Sequence, residues 1–461
     1  MTTAKPPTPP RPWPDYRAVW RWHFYAGLIC IPFIIWLATT GSIYLFKPQI
    51  EAWLDRPYDH LAIAGQPASA AAEVNAALAA VPGATLRDYE LPRTPDAAAR
   101  VIVNRQGEAI RVYVHPQTLQ ILKTVPEESR LMRTIFKLHG ELLIGNTGSV
   151  IVELAASWAI IMIITGLYLW WPRQAQGLGG IVYPRLGNNG RVFWRDLHAV
   201  TGFWISCFVL FLLLTGLPWA KFWGGYLKEV RQLTGTAVAQ QDWTSGAAKP
   251  AKAPAAMEHM DHSDHMTMTG GSSSNTVQDY SALDRMVAVV RPLNLAPPVL
   301  ISPPKKDPMS WTARSDAQNR PLRVNLVLDG RTGAILKRDD FKDRHPIDRI
   351  VGIGIAAHEG QLFGWPNQLL GVLTACGLIL LSVSSAILWW RRRAHGVLGA
   401  PEIAQPARFS FGLAVIVVLL GIYLPLFAAS AIIVKLVEKL ILGRIPPVRN
   451  WLGLKAAQAS P

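Results

Sequence analysis

The sequence predicts a membrane-embedded all-α bundle with four core transmembrane helices as a duplicated helix pair, plus a fifth C-terminal hydrophobic helix and two small α+β domains outside the bundle. The first observation is composition, because half of the 461 residues are apolar and the mean hydropathy is +0.19. The second is a set of apolar runs long enough to cross about 30 Å of hydrocarbon. Four of them lie at about residues 24–46, 148–171, 199–220 and 367–390. A fifth run lies at about 409–434.

The third observation is an internal repeat that contains the second and fourth runs. His139 and His358 are each followed, after 31 residues, by the first tryptophan of a Trp-Trp pair. In both copies a glycine, Gly145 or Gly364, stands six residues after the histidine. A repeat that holds a histidine at a fixed distance from a membrane helix also holds it at a fixed depth, and depth matters for a redox ligand.

The first and third runs repeat each other in the same way. Each opens on a histidine, His23 or His198, with a glycine four residues later on the same helix face. Such a glycine, Gly27 or Gly202, leaves room for a flat ligand to approach the backbone. A Thr-Gly pair follows each histidine by 17 and 18 residues, as Thr40-Gly41 and Thr215-Gly216. The chain is therefore two parallel copies of a helix, an external segment and a second helix.

The placement of charge predicts the orientation of the bundle. The net charge is +15, and basic residues gather in the N-terminal tail, the 172–197 loop and the 391–408 loop, all on one side if the runs alternate. The positive-inside rule then places the N-terminus in the cytoplasm, so the charge indicates membrane topology and no nucleic-acid partner. The C-terminal tail is basic as well but would lie outside. The fifth run is thus either a full span or a re-entrant or interfacial segment.

The two external segments predict similar small domains. The first has a helical stretch near 69–80 followed by strand-like residues 100–122, and the second has a helical stretch near 280–291 followed by strand-like residues up to 336. Apolar residues alternate with polar ones around Asp329-Gly330, which predicts a hairpin. Between them, residues 244–276 are rich in Ala, Ser, Gly and Pro, as is typical of a linker.

Four of the eleven histidines stand at the ends of the predicted membrane helices, with His23 and His198 on the inner side and His139 and His358 on the outer side. A single histidine there is simply an interfacial side chain whose ring reaches water. Four of them, at duplicated offsets and sorted two to each side, favour two pairs of axial ligands for low-spin haem iron. The two levels lie roughly 25 Å apart, since 17 helical residues rise about 1.5 Å each. The chain has no C-x-x-C-H motif, so the expected cofactors are two b-type haems.

Several motifs also resemble a known family. The WRWH and FWRDLH openings, the LHGELLIG and AHEGQLFG segments and the VYVHPQTLQIL turn are similar to those of PepSY-associated membrane proteins, which include di-haem ferric-siderophore reductases of Gram-negative inner membranes. The resemblance covers about residues 15–395. It implies that His23, His139, His198 and His358 are the axial ligands and that the external domains are PepSY-like and periplasmic. The Met/His linker and the fifth run depart from the family pattern.

The expected organisation follows from these patterns and this resemblance. In order, it is a disordered tail (1–15), transmembrane helix 1 (16–47), PepSY-like periplasmic domain 1 (48–138), transmembrane helix 2 with the segment leading into it (139–172), a cytoplasmic loop (173–197), transmembrane helix 3 (198–221), PepSY-like periplasmic domain 2 with the linker 244–276 (222–357), transmembrane helix 4 with the segment leading into it (358–391), a second cytoplasmic loop (392–408), hydrophobic helix 5 (409–434) and a C-terminal tail (435–461).

The linker and three carboxylates leave alternatives open. Imidazoles and thioethers are mixed in the linker, a ligand set that suits copper, but a flexible polar tract with incidental metal affinity explains it equally well. Glu153 in the second run is either a proton or substrate group or the partner of an Arg or a hydroxyl in the bundle. Glu141 and Glu359 either orient an imidazole or face solvent. The linker residues are His259, His262, His265, Met257, Met260, Met266 and Met268.

The main functional prediction is a haem-dependent enzyme of the inner membrane that reduces a periplasmic ferric siderophore or other metal chelate and so releases Fe(II). The chain has no dinucleotide or phosphate-binding motif, so electrons come from a cytoplasmic flavoprotein, a soluble donor or membrane quinol. The alternative is a copper-handling membrane reductase or metal-binding protein that uses the linker. A third possibility is a non-redox regulator that inhibits a peptidase, which leaves the duplicated histidines without a role. The sequence identifies no catalytic residues beyond these ligands.

Overall fold

A computed structural model describes residues 16–172, 177–187, 190–236, 279–305, 309–401 and 411–454. The chain forms two compact units, a helical unit (1–47, 134–233 and 357–461) and a sheet unit (48–133 and 234–356). The helices are α1 (Tyr16–Leu45), α2 (Lys47–Asp59), α3 (Ala70–Ala80), α4 (Leu131–Glu141), α5 (Asn146–Trp170), α6 (Arg191–Gly216), α7 (Lys221–Leu233), α8 (Ala282–Val290), α9 (Pro346–His358), α10 (Trp365–Arg392), α11 (Phe411–Tyr423), α12 (Pro425–Leu440) and α13 (Pro446–Leu452). The strands are β1 (Thr85–Glu90), β2 (Ala99–Arg105), β3 (Glu108–Val114), β4 (Ile121–Pro126), β5 (Val299–Ser302), β6 (Ser310–Ser315), β7 (Val324–Asp329) and β8 (Ile335–Asp340).

Four helices of the helical unit, α1, α5, α6 and α10, are long and apolar enough to cross a membrane, as predicted. They form a ring in which α1 packs on α5, α5 on α6, α6 on α10 and α10 on α1, so α1 and α6 stand diagonally opposite. We call the end where α1 and α6 begin the basic end. There the guanidinium of Arg392, at the end of α10, lies over the rings of Trp20 and Phe24 on α1.

A sharp break precedes both α5 and α10, and a glycine makes each break possible. Gly145 and Gly364 have φ values of +62° and +67°, a region that residues with a Cβ rarely adopt. A Cβ on either glycine would meet nothing within 4 Å, so the requirement is one of backbone conformation and not of space. His139 and His358 therefore lie near the ends of the separate helices α4 and α9.

The fifth apolar run, expected as one hydrophobic helix, forms a bent pair of helices. α11 and α12 are bent by 120° at a break at Leu424, because Pro425 has no backbone N–H to continue the first helix. Leu424 is buried against Ile160 and Leu217 of the bundle. Beyond the bend the chain returns to the basic end, where the Tyr25 hydroxyl donates to the carbonyl of Leu452 (2.6 Å). A re-entrant path therefore brings the basic C-terminal segment to the same end as the other basic segments.

The sheet unit contains one eight-stranded antiparallel sheet where two separate domains were expected. Its strand order is β4-β3-β2-β1-β5-β6-β7-β8, and the two halves join where Tyr89 pairs with Ile301 and Glu90 with Leu300. The hairpin at Asp329-Gly330 and the helices near 69–80 and 280–291 are present as predicted. α3 and α8 cover one face and bury an apolar core against the strands. Joining the halves removes two exposed strand edges, which explains why one sheet is preferred over two.

Candidate functional site

Two histidines face each other at the basic end of the bundle. His23 on α1 and His198 on α6 come from diagonally opposite helices, and their ring centroids are 6.4 Å apart with ring planes at 79°. Both side chains are partly buried. The helices to which they belong do not pack side by side in the ring, so the pair lies across the interior of the bundle.

Hydrogen bonds determine which nitrogen of each ring is available. Nδ1 of His23 lies 3.0 Å from the carbonyl oxygen of Met162, and Nδ1 of His198 lies 3.2 Å from that of Leu381. A carbonyl can only accept, so Nδ1 carries the proton in both rings. The unprotonated Nε2 atoms are then free to bind a metal, and the Nδ1 bonds fix the ring orientation as in other histidine metal sites.

The second pair shows the same arrangement at the opposite end. Nδ1 of His139 lies 3.0 Å from the hydroxyl of Thr40, and Nδ1 of His358 lies 3.0 Å from that of Thr215. Each hydroxyl already donates its proton to a carbonyl of its own helix, at 2.8 Å and 2.7 Å. The threonine therefore accepts from the imidazole, which again leaves Nε2 unprotonated.

All four histidines thus rest on one local motif of a neighbouring helix. The motif is a hydroxyl residue followed immediately by a small residue. For His23 and His198, the carbonyl three positions before the hydroxyl also accepts from Nδ1. A Cβ added at Gly166, Gly41 or Gly216 would lie 3.0, 3.1 or 3.4 Å from Cε1 of the adjacent imidazole, so the small residue lets the ring approach. The four copies are Thr165-Gly166 for His23, Ser384-Ser385 for His198, Thr40-Gly41 for His139 and Thr215-Gly216 for His358.

The sequence analysis found half of this motif. It singled out Thr40-Gly41 and Thr215-Gly216 for their duplicated offsets without giving them a role. It missed Thr165-Gly166 and Ser384-Ser385, which stand 26 and 27 residues after His139 and His358. A search for hydroxyl-plus-small dipeptides at duplicated offsets in all four runs would have found them. A Cβ added at Gly27 would lie 3.7 Å from the Met162 sulfur, and one added at Gly202 would lie 3.6 Å from the Leu381 side chain, which are ordinary van der Waals distances.

The basic-end pair fits a metal that brings its own equatorial ligands. Two imidazoles that bind one metal from opposite sides, with metal–nitrogen distances of about 2 Å, have ring centres about 6 Å apart. The observed 6.4 Å agrees with this value. Within the residues that the structure describes, no group of three or more His, Cys, Asp or Glu side chains is placed to hold a metal ion. A haem needs only the two axial ligands, so the donor set suits it.

A family model described as a PepSY-associated TM region matches residues 20–392. The chain belongs to this family. No curated protein matches the chain. Together with the apolar helices, the family membership shows that this PepSY-associated protein is a multi-pass membrane protein. The matched residues include all four histidines and both halves of the duplicated bundle.

The other residues singled out in the sequence stand apart from this site. The carboxylate of Glu153 accepts hydrogen bonds from the backbone N–H groups of Phe222 (2.9 Å) and Trp223 (3.1 Å), so it caps the N-terminus of α7. At His139 and His358 the orienting role that was considered for Glu141 and Glu359 is filled by the two threonines. The Met/His tract, with His259, His262, His265, Met257, Met260, Met266 and Met268, lies outside the described residues.

Proposed function

We propose that the protein is a haem-dependent transmembrane oxidoreductase of the ferric-chelate reductase type. In this proposal two b-type haems carry electrons across the bacterial inner membrane to a periplasmic ferric siderophore or another metal chelate. The observation that supports it best is the repeated support of four imidazoles, two at each end of the bundle, each with Nε2 unprotonated. Neutral imidazoles with a free Nε2 are the form that binds iron.

In this proposal the histidines, the groups that bond to them and the surrounding helices have separate roles. His23 and His198 would hold one haem and His139 and His358 the other, and each haem when bound supplies a one-electron carrier. The Ser and Thr hydroxyls and the backbone carbonyls keep a proton on Nδ1 and prevent the rings from turning. The apolar helices around the pairs exclude water and ions. On α1, Thr40, which supports His139, is 17 residues from His23, so the two histidine pairs lie about 25 Å apart along the helix. Both haems would therefore fit within one bundle.

The direction of electron flow in the proposal follows from charge. The basic end has the starts of α1 and α6, the end of α10 and the returning C-terminal segment, and all of these are rich in arginine. The positive-inside rule assigns such an end to the cytoplasm. Electrons would enter there and leave at His139 and His358. The re-entrant fifth run removes the conflict that a basic external C-terminus would cause.

Reduction of the chelate is useful because siderophores hold Fe(III) far more tightly than Fe(II), as hard oxygen ligands prefer the more highly charged ion. One electron per iron is then sufficient to release the metal. The copper-handling alternative depends on the Met/His tract and stays a sequence prediction.

The test is a pyridine haemochrome assay with reduced-minus-oxidised spectra of the purified protein. We expect two non-covalent b-type haems per chain. A colourless protein, or one haem per chain, would contradict the proposal of two pairs. Reoxidation of the reduced protein by a ferric siderophore, compared with the same chelator loaded with Ga(III), then tests the substrate, because Ga(III) cannot accept the electron.

A further inference from the structure

A buried charged residue stands two positions before each histidine of the basic-end pair. These residues are Arg21 on α1 and Asp196 on α6, and they occupy equivalent positions in the two copies of the chain. Arg21 is 6% exposed and Asp196 is 0% exposed. Both use their charge to fasten a segment of chain across the start of their helix.

On α1, Arg21 fastens two segments at once. Its guanidinium donates to the carbonyl of Pro401 (2.9 Å) and to that of Leu452 (3.4 Å). The backbone N–H of Leu398 donates to the carbonyl of Trp451 (2.8 Å), which ties the same two segments to each other. The segment after α10 and the helix α13 therefore cover the start of α1.

On α6, Asp196 fastens the segment that follows α5. Its carboxylate accepts from Arg185 (2.6 Å) and from Arg195 (2.8 Å). The indole N–H groups of Trp170 and Trp204 hold the same segment by donating to the carbonyls of Ile181 and Val182. The start of α6, like that of α1, is thus covered by ordered chain.

The covered end presents concentrated positive charge. Arg191 stands at the start of α6, and Arg391 and Arg392 stand at the end of α10. Arg191, Arg391 and Arg393 are exposed. The acidic groups that the structure describes at this end are already paired, Asp196 with arginines and Glu438 with Lys435 (3.0 Å). Exposed like charges gathered on one surface favour an anionic surface from another molecule.

We propose that this basic end is the docking surface for a soluble electron-donor protein with an acidic face. The inference rests on the proposed function and names the class of donor. A reduced acidic flavoprotein carrier would dock over the covered ends of α1 and α6, the two helices that supply His23 and His198. In each encounter the carrier would give up one electron, which the group that His23 and His198 would hold accepts.

The arrangement favours a protein over lipid headgroups as the occupant. The covering segments are anchored on Arg21 and Asp196, each two residues from a histidine of the pair, so they lie over the route by which an electron would reach it. Lipid headgroups meet a helical bundle around its perimeter, where tryptophans gather. A docked protein instead contacts the end of the bundle.

The test compares the wild-type protein with the double variant Arg191→Glu and Arg391→Glu in nanodiscs of zwitterionic lipid. The probe is an acidic bacterial flavodoxin. We expect the equilibrium affinity for oxidised flavodoxin to fall at least about 10-fold at low salt in the variant, and wild-type binding to weaken steeply as salt is added. The matched control is Arg331→Glu in the sheet unit, a change of the same sign at another exposed arginine, which should leave the affinity unchanged.

Binding of the oxidised carrier needs no electron transfer, so it separates this inference from the proposed function. Haem spectra and dithionite reduction of both variants report on the haem sites independently. The proposal is overturned if flavodoxin binding shows no salt dependence or if the double variant binds as the wild type does. It is overturned as well if the charge reversals change only the preference for anionic over zwitterionic lipid, because the surface is then a lipid contact.

Discussion

The helical unit and the sheet unit are both duplicated, but they differ in how strictly the two copies agree. In the helical unit all four histidines have the same support, a hydroxyl followed by a small residue. In the sheet unit the facing pair Glu90 and Arg100 of the first half corresponds to Ser302 and Thr312 in the second. In the proposed function each histidine holds a metal and must meet fixed distances and angles, whereas a sheet face must only satisfy its polar groups, so the second kind of position is free to diverge.

The divergence in the sheet has a structural consequence. In the first half, Arg111 bonds to Glu90 and Glu127, and Arg100 pairs with Asp59 of α2. The Arg100–Asp59 pair fixes α2 onto the sheet face away from the apolar core. α7, the counterpart of α2 in the second copy, instead packs on α5, where Glu153 caps it. Two equivalent helices therefore have different neighbours because different carboxylates hold them.

The largest effect is expected from variants that disrupt one histidine pair and leave the other intact. His198→Ala should remove the haem at the basic end and leave the other, and His358→Ala should do the reverse, because each pair forms a separate site. Each variant should keep one b-type haem with a different spectral component, as measured by redox difference spectra. His198→Ala should keep a haem that dithionite reduces and the physiological donor does not. Loss of the same component in both variants would mean that the four histidines form one site.

The next effect concerns the ion pairs that distinguish the two halves of the sheet. Arg111→Met leaves Glu90 buried without its main partner, which should cost about 3–5 kcal/mol. Asn325→Ala, on the neighbouring half, should cost about 1 kcal/mol or less, since its bond to Asp339 is long and partly exposed. Hydrogen exchange of the strand amides in the intact protein measures both. Equal protection in the two variants would show that the network adds nothing to the first half.

A third prediction uses pH to compare the two faces of the sheet. The pKa of Glu73 on α3 is raised to about 7, mainly because its carboxyl group is buried. The hydrogen bond from the Tyr89 hydroxyl (2.7 Å) and the charge of Arg291 lower this pKa, whereas the charge of Asp284 raises it. On the other face, Arg111 and Arg100 hold the pKa of Glu90 below its usual value.

The sign of the Glu73 effect follows from its raised pKa. Between about pH 4.5 and pH 7 the folded state keeps a proton that the unfolded state has lost, so this group's contribution to stability is lost as pH rises, by up to about 3 kcal/mol. Glu73→Gln should remove that loss. Amide exchange of the central strands, followed from about pH 5 to about pH 8, measures it. The same pH slope in the wild type and the variant would show that Glu73 is not the group responsible.

The smallest expected effect tests whether the hydroxyls in the helical unit support the histidines. Thr40→Val removes the acceptor of His139 Nδ1 while keeping the shape of the side chain, and should weaken haem binding about 10- to 100-fold. Thr39→Val is the matched control, because the Thr39 hydroxyl bonds only within its own helix, to the carbonyl of Ile35 (2.8 Å). Haem retention in a competition with apomyoglobin measures the difference. Equal haem retention in the two variants would show that the Thr40 hydroxyl does not contribute to haem binding.

The sequence by itself determined the bundle and the four histidines. The chain has apolar runs of membrane length and a repeat in which His358 and Gly364 correspond to His139 and Gly145. These properties do not depend on which segments meet in space. The glycines at the breaks were likewise visible, because a positive φ is a local requirement that few other residues satisfy.

Only the tertiary structure decided which elements meet. β1 and β5 have edges that could have stayed apart in two sheets, and the pairing of Tyr89 with Ile301 joins strands more than 200 residues apart. Thr165 and Ser384 acquire a role only because another helix brings a histidine to them, and Glu153 only because α7 begins beside it. Such partners are chosen by packing and by the need to satisfy buried polar groups, and neither leaves a periodic pattern in the sequence.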